Sequence, residues 1–507
     1  MLTRLYSYDA RVIAHYVGLL TIGIGLSMSI PLLTALLLGE WDPAMDYLFG
    51  MGVACATGTA LMHADTRNSE IDRVRALAIT ALGWIAASAA AAVPLALSPH
   101  YGSFIDAMFD SLSGLTTTGL TVVTDLDHMA HSHNMWRHLT QLIGGQGIVV
   151  AALSLAIGTR TGAHSLYVAE GRDERILPNI IHTARFIWFV TALYVVLGTA
   201  ILTGVHTYLG MDIVRGSLHA FWISIATYDT GGFAPQSMNA MYYHSFLFEV
   251  VTLFLMLAGT MNFSLHAQVW RGDRSELWRS LEMRTLGFNI FFLSALASLG
   301  LAATSAYTGP LAIFRKGAYH IISAHSAGHQ TVYTQQWSAD VGPTAFLAVM
   351  LAMAAGGGMS STAGGIKALR LGLLLKTIWH QIRVSMAPRS AVIRTTFHHL
   401  GKKTLTPELA GMITLIFVLY TLVYLAGGVA GAAYGYYPPD AMFESISATA
   451  NSGPSAGITG PDMPLGLKIV YMFQMWAGRL EFIAVLTVVT QLIVSFAAAI
   501  KTLPNRI

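Results

Sequence analysis

The chain has 507 residues, of which 54% are hydrophobic and 11% charged, and its formal net charge is +3. Soluble domains carry about 25% charged residues, so water is not the solvent for most of this surface, and so small a charge gives no case for a nucleic-acid partner. Cys55 is the only cysteine, which excludes an intrachain disulfide and a multi-cysteine metal site. The opening stretch MLTRLYSYDARV is too polar for a cleaved secretory signal.

A membrane crossing needs about 20 mainly apolar residues. Such stretches fall at 11–38, 44–62, 73–97, 136–158, 185–205, 241–264, 285–306, 343–378, 405–433 and 463–498. Between them lie shorter, less apolar segments at 104–116, 213–227, 316–326 and 440–450. These read as re-entrant half-helices, tolerated in a bilayer only where protein or a water-filled cavity surrounds them. Lys and Arg collect on the cytoplasmic side of membrane proteins. With both termini in the cytoplasm, the inner loops receive most of them, including Arg271, Arg274, Arg279 and Arg284 and the basic segment 366–403. The outer side keeps Arg137, Arg215, Arg315, Lys316 and Lys468, and Arg479 is left within a span.

The chain repeats itself. DAMFDSLSGLTTTG (106–119) aligns without gaps to DAMFESISATANSG (440–453), and HAFWISIATYDTGG (219–232) and RKGAYHIISAHSAG (315–328) fit the same frame. Each is a half-helix followed by a small, hydroxyl-rich turn ending at Gly119, Gly232, Gly328 or Gly453. A cation entering a pore exchanges its water for other oxygens, and rings of backbone carbonyls supply them. Turning consecutive carbonyls toward one axis needs backbone conformations that glycine adopts without strain, and each half-helix aims its negative C-terminal end at the ion. A single such turn is an ordinary loop; four in frame between spans describe a filter.

These residues, with WRHLTQLIGGQGIVV (136–150), LPNIIHTARF (177–186), GGGMSSTAGGIKALR (356–370) and WAGRLEF (476–482), resemble the Trk/Ktr/HKT superfamily of cation transporters, and in particular its TrkH-type bacterial membrane subunits. The resemblance implies an all-α polytopic fold of four pseudo-symmetric helix–pore loop–helix repeats around one pore, preceded by an extra helix pair. The pair would occupy 1–65 and the repeats 66–160, 161–284, 285–403 and 404–507. It further implies K⁺ as the transported ion with no covalently bound cofactor, and a homodimer in the bacterial cytoplasmic membrane. TrkA-like cytosolic nucleotide-binding subunits would regulate it. By similarity the coordinating positions are Thr117, Thr118 and Gly119; Thr230, Gly231 and Gly232; Ser326, Ala327 and Gly328; and Asn451, Ser452 and Gly453. Glycine at 119, where a serine goes with Na⁺ preference, favours K⁺. The third turn, HSAGHQT, departs from the family pattern in having His325 and His329 about it.

The span from 343 is interrupted by AAGGGMSSTAGG (354–365), and glycine weakens a helix by about 1 kcal/mol per residue. The resemblance makes Gly356, Gly357, Gly358, Ser360, Ser361, Thr362, Gly364 and Gly365 an intramembrane gating loop; close helix packing through small residues is the other reading. Lys367 is not set in a phosphate-binding GxxxxGK[ST] loop. Arg479, a costly charge at membrane depth, would stand near that loop as a barrier to cations, or pair structurally with a carboxylate or helix-end carbonyls. His128, His131, His133 and His138 read as ordinary polar surface of the first outer loop. The basic segment 366–403 suits a regulatory subunit or anionic lipid. No catalytic set is visible, so no enzyme is expected. All four repeats run in the same sense, unlike the inverted repeats of secondary transporters; a Na⁺-permeable or proton-coupled relative of the same architecture remains the alternative to K⁺ uptake.

Overall fold

The computed structural model describes residues 7–63, 71–147, 180–304, 307, 309–331, 342–388 and 390–502. The second half of the expected span 136–158 and part of LPNIIHTARF lie outside the described residues. The helices are α1 Ser7–Ser27, α2 Ser29–Leu38, α3 Trp41–Met62, α4 Arg73–Leu97, α5 Phe104–Leu115, α6 His131–Gln146, α7 Ile180–Tyr208 and α8 Ile213–Tyr228. A 3₁₀ turn at Asn239–Tyr243 precedes α9 Phe246–Thr260, α10 Phe263–Trp270, α11 Glu276–Arg279, α12 Leu281–Ala303, α13 Pro310–Ala324, α14 Pro343–Ala355 and α15 Ala368–Met386. After strands β1 Thr396–His398 and β2 Lys402–Thr404 come α16 Pro407–Ala433, α17 Pro438–Ala450, α18 Leu465–Arg479 and α19 Ile483–Thr502. Among the described residues five helices are long and apolar enough to cross a membrane, or seven if each of two bent pairs counts as one span.

The four short helices α5, α8, α13 and α17 start where the sequence supplies a cap. The Ser103 hydroxyl accepts from the Asp106 N–H, an N-cap bond, and donates to the Asp106 carboxylate. Asp212 accepts from the N–H groups of Val214 and Arg215. Pro310 and Pro438 open α13 and α17, at the position where a missing N–H leaves no bond unmade.

Two expected spans are not continuous. Within 241–264, α9 turns into α10 through 100° at Met261–Asn262, where the Asn262 side chain caps the new helix by accepting from the Ser264 N–H at 2.8 Å. Within 463–498, α18 turns into α19 through 116°, across Glu481 and Phe482 with φ of 51° and 67°. The third repeat breaks between Ala355 and Ala368, as its glycines lead one to expect. The strands form an antiparallel hairpin with Phe397 opposite Lys403, an element with no counterpart in the sequence reading. It docks on α11: His398 Nε2 lies 2.7 Å from a Glu276 carboxylate oxygen, and the Leu400 N–H donates to the other oxygen.

The N-terminal helices pack closely at glycines: a Cβ on Gly18 would run into Gly58, and one on Gly58 into Gly18 and Ile22. Glu40, between α2 and α3, then anchors the pair to the rest of the molecule. Its carboxylate accepts from the N–H groups of His131 and Ser132 at 2.8 and 3.0 Å, capping the start of α6. Burial alone would raise this carboxyl; the bonds from His131 and Ser132 outweigh it and hold its pKa at about 2.

Candidate functional site: a ring of four turns above a buried loop

The turns that follow α5, α8, α13 and α17 meet. A Cβ built on Gly119 would press on the Gly231 carbonyl oxygen, one on Gly232 on that of Ala327, one on Gly328 on that of Ser452, and one on Gly453 on that of Thr118. First touches second, second third, third fourth, and fourth first again, so the ring is closed. These glycines have φ of 92°, 75°, 70° and 96°, a region in which other residues are strained. Thr117, Thr230 and Asn451 also take left-handed φ of 55°, 54° and 51°. Such residues store about 1–3 kcal/mol each and persist only where the surroundings enforce them.

The enforcement is polar and different at each seam. Asn451 donates through Nδ2 to Thr118 Oγ1 at 2.9 Å, joining the fourth turn to the first. Ser452 Oγ donates to the Ala324 carbonyl at 2.6 Å, joining the fourth to the third. Gln141 of α6 donates to the Gly231 carbonyl at 2.5 Å. Thr117, Thr118, Thr230, Ser326, Ala327, Asn451 and Ser452 are all buried within the chain.

The segment 354–365 lies against the ends of the same half-helices. Thr362 Oγ1 bonds the carbonyls of Tyr228, the last residue of α8, and of Gly259 at 3.1 and 3.0 Å. Gly356 accepts through its carbonyl from His325 Nδ1 at 2.8 Å, and the Gly358 N–H donates to the Thr260 carbonyl at 2.9 Å. Gly364 is packed so tightly on the Ala450 carbonyl that a Cβ there would collide with it. Contact with the first turn runs through Arg479. Its guanidinium donates to Thr117 Oγ1 at 3.2 Å, to the Thr362 carbonyl at 2.8 Å and to the Gly144 carbonyl at 2.5 Å. Arg479 is therefore not in mid-span but at the end of α18, where the helix breaks. The segment also lines a cavity together with Gly147, Lys367, Tyr420, Arg479 and Glu481. Arg370 meets the Glu481 carboxylate at 2.5 Å.

Residues 46–495 match the TrkH family model, described as a cation transport protein. The chain belongs to the TrkH family of cation transport proteins. It is 30% identical over 497 residues to the Trk system potassium uptake protein TrkH of Halomonas elongata, covering 95% of this chain and 98% of that one. The TrkH of Escherichia coli K12 is 30% identical over 494 residues at the same coverage. An uncharacterised cation transporter of Methanocaldococcus jannaschii is 29% identical over 486 residues, 95% of this chain and 96% of its own. Among solved structures, the potassium transporter TrkH of Vibrio parahaemolyticus superposes with a TM-score of 0.80 at 24% identity over 94% of this chain and 98% of that one, which establishes the fold.

Several residues of this TrkH-family chain escaped sequence reasoning. Gly144, Gly259 and Gly478 sit so close to the carbonyls of Leu115, Tyr228 and Thr449, at the ends of three half-helices, that any Cβ there would overlap them. In the third repeat the matching position is Gly357, already among the expected gating residues, which stands against the His325 carbonyl. Each follows its turn glycine by a similar interval, so the self-similarity search that found the turns could have found these too. His133 and His138 are not polar surface but buried on α6. His133 bonds the Tyr47 hydroxyl at 2.9 Å, and His138 stacks on Trp222 with ring centroids 5.8 Å apart. Three of the cations near the half-helices are ion-paired, Arg137 with Asp110, Arg315 with Glu249 and Lys468 with Asp106, while Arg215 bonds the Tyr242 hydroxyl and Lys316 the Thr331 carbonyl.

Proposed function

We propose that this TrkH-family chain carries K⁺ across the bacterial cytoplasmic membrane, the turn carbonyls replacing the ion's water. The observation that carries this reading is the closed ring, in which each turn glycine abuts the carbonyl of the next turn: Gly231, Ala327, Ser452 and Thr118. Four half-helices end at that ring, and their partial negative charge favours a cation there. The potassium uptake named for the Halomonas and Escherichia relatives agrees with it. In this proposal Thr117–Gly119, Thr230–Gly232, Ser326–Gly328 and Asn451–Gly453 form the filter. The loop from Gly356 to Gly365, with Arg479 bridging it to the first turn, is the gate. Both termini face the cytoplasm, the chain works as a homodimer, and TrkA-like nucleotide-binding subunits govern the gate from the face that carries 366–403.

The test is growth rescue of a strain lacking K⁺ uptake, joined to uptake of a rubidium tracer with Na⁺ as competitor. Rescue at low K⁺ and weak Na⁺ competition are expected. If Na⁺ enters as readily as rubidium, the Na⁺-permeable alternative takes its place.

A further inference from the structure

The four turns share one plan in three copies and depart from it in the third. In the first, second and fourth turns the middle residue closes onto the half-helix five residues back: Thr118 N–H to Ser113, Gly231 to Ala226 and Ser452 to Ser447, at 2.8, 2.7 and 3.0 Å. In the third turn that bond shifts one residue on, from Gly328 N–H to the Ser323 carbonyl at 2.9 Å. Ser326, unlike Thr117, Thr230 and Asn451, does not take a left-handed φ. The backbone lock of the third turn is thus offset by one residue from that of its counterparts.

His329, buried and next to the turn glycine, adds side-chain bonds that the other turns lack. Its Nδ1 lies 3.0 Å from Asn239 Oδ1, and its Nε2 lies 3.1 Å from Thr227 Oγ1. Asn239 Oδ1 also accepts the N–H groups of Ala240 and Gln330, which identifies it as the amide oxygen. Nδ1 therefore carries the proton, and Nε2 accepts from the Thr227 hydroxyl. The Ser323 hydroxyl adds a bond to the His329 carbonyl at 2.6 Å. Thr227 lies in α8 just before the second turn, and Asn239 opens the 3₁₀ helix after it. The ring thereby ties the third turn to both flanks of the second, beside the seam where Gly232 abuts the Ala327 carbonyl. Asn451 and Ser452 act at other seams.

We propose that His329 is a specificity-determining positioning residue, which by bonding Thr227 and Asn239 fixes where the Ala327 carbonyl stands in the ring and so how sharply the ring separates K⁺ from Na⁺. The proposal rests on the filter reading given above. It is tested on the full chain in proteoliposomes, by rubidium uptake against increasing Na⁺, for wild type, His329→Phe, Thr227→Val, the double variant and Thr227→Ser. His329→Phe keeps an aromatic ring without its bonds, and Na⁺ is expected to inhibit it at about fivefold to tenfold lower concentration, the weight of one buried hydrogen bond. Thr227→Val moves the same way, the double variant goes no further than His329→Phe, and Thr227→Ser, which keeps the hydroxyl, matches wild type. Should His329→Phe fail to fold, Thr227→Val carries the test alone, since it exchanges one hydroxyl for a methyl. Slower uptake with unchanged Na⁺ competition overturns the proposal by reducing His329 to a structural part, and fully additive effects overturn it by uncoupling the pair. A wild type that itself fails to discriminate refutes the filter reading, a different outcome from variants that discriminate as wild type does.

Discussion

Replacing Arg479 by Gln tests the gate most directly. The guanidinium bond to the Thr362 carbonyl at 2.8 Å ties Arg479 to the proposed gating loop, while those to Thr117 Oγ1 and Gly144 tie α18 to the first repeat. A hydrogen bond from a charged donor contributes about 1.5–3 kcal/mol. Loss of the Thr362 bond alone therefore shifts the balance between seated and unseated loop by about that amount. At about 1.4 kcal/mol per factor of ten, the unseated population rises by about 10-fold to 150-fold, and removal of a positive charge beside the cavity acts in the same direction. The assay is rubidium uptake into K⁺-loaded proteoliposomes containing the purified chain and no partner. Arg479→Gln is expected to raise basal uptake by that order, with Arg479→Lys, which keeps the charge and part of the bonding, in between. Basal uptake equal to or below wild type, from a variant that elutes as wild type does in detergent, would refute the idea that this side chain holds the loop shut.

Gly232→Ala places a side chain at φ of 75° against the Ala327 carbonyl. The backbone term alone is about 1–2 kcal/mol, and Na⁺ should compete with rubidium more strongly; an unchanged competition curve contradicts the ring. Asp110→Asn leaves Arg137 buried without its charge partner, 2.8 Å away, and should destabilise the protein by about 3–5 kcal/mol, read as a lower thermal midpoint in detergent. Glu40 has a folded-state pKa depressed to about 2 from 4.5, so its contribution is complete above the unfolded value and lost as pH falls toward 2. The thermal midpoint of wild type should therefore exceed that of Glu40→Gln at neutral pH, and the gap should close between about pH 4.5 and about pH 2. A constant gap would show that the Glu40 charge is not what caps α6.

The half-helices and their turns were legible because function demands small, polar residues where a bilayer otherwise demands apolar ones. Gly356–Gly358 announced their break for a similar reason. The bends at Met261–Asn262 and Leu480–Phe482 were hidden, because neither contains Gly or Pro and a single Asn262 or Glu481 does not by itself mark a break. They are set by Asn262 capping α10 and by Arg370 of α15 holding Glu481. The histidines misled in the opposite way. A loop rich in His reads as wet, yet His133 and His138 point inward to Tyr47 and Trp222, contacts that only the packed bundle creates. The hairpin at 396–404 was likewise invisible, since each strand is three residues long and depends on Glu276 for its seat.

The seam between Asn451 and Thr118 joins residues 333 positions apart, and that between Arg479 and Thr117 spans 362. Contacts of such separation form late, because a long intervening chain must first be ordered. Until the last repeat is made, the Thr118 carbonyl has no Gly453 to meet and Gly328 has no Ser452 carbonyl. A chain shortened before residue 450 would therefore leave the ring open between its third and first turns rather than close a smaller one.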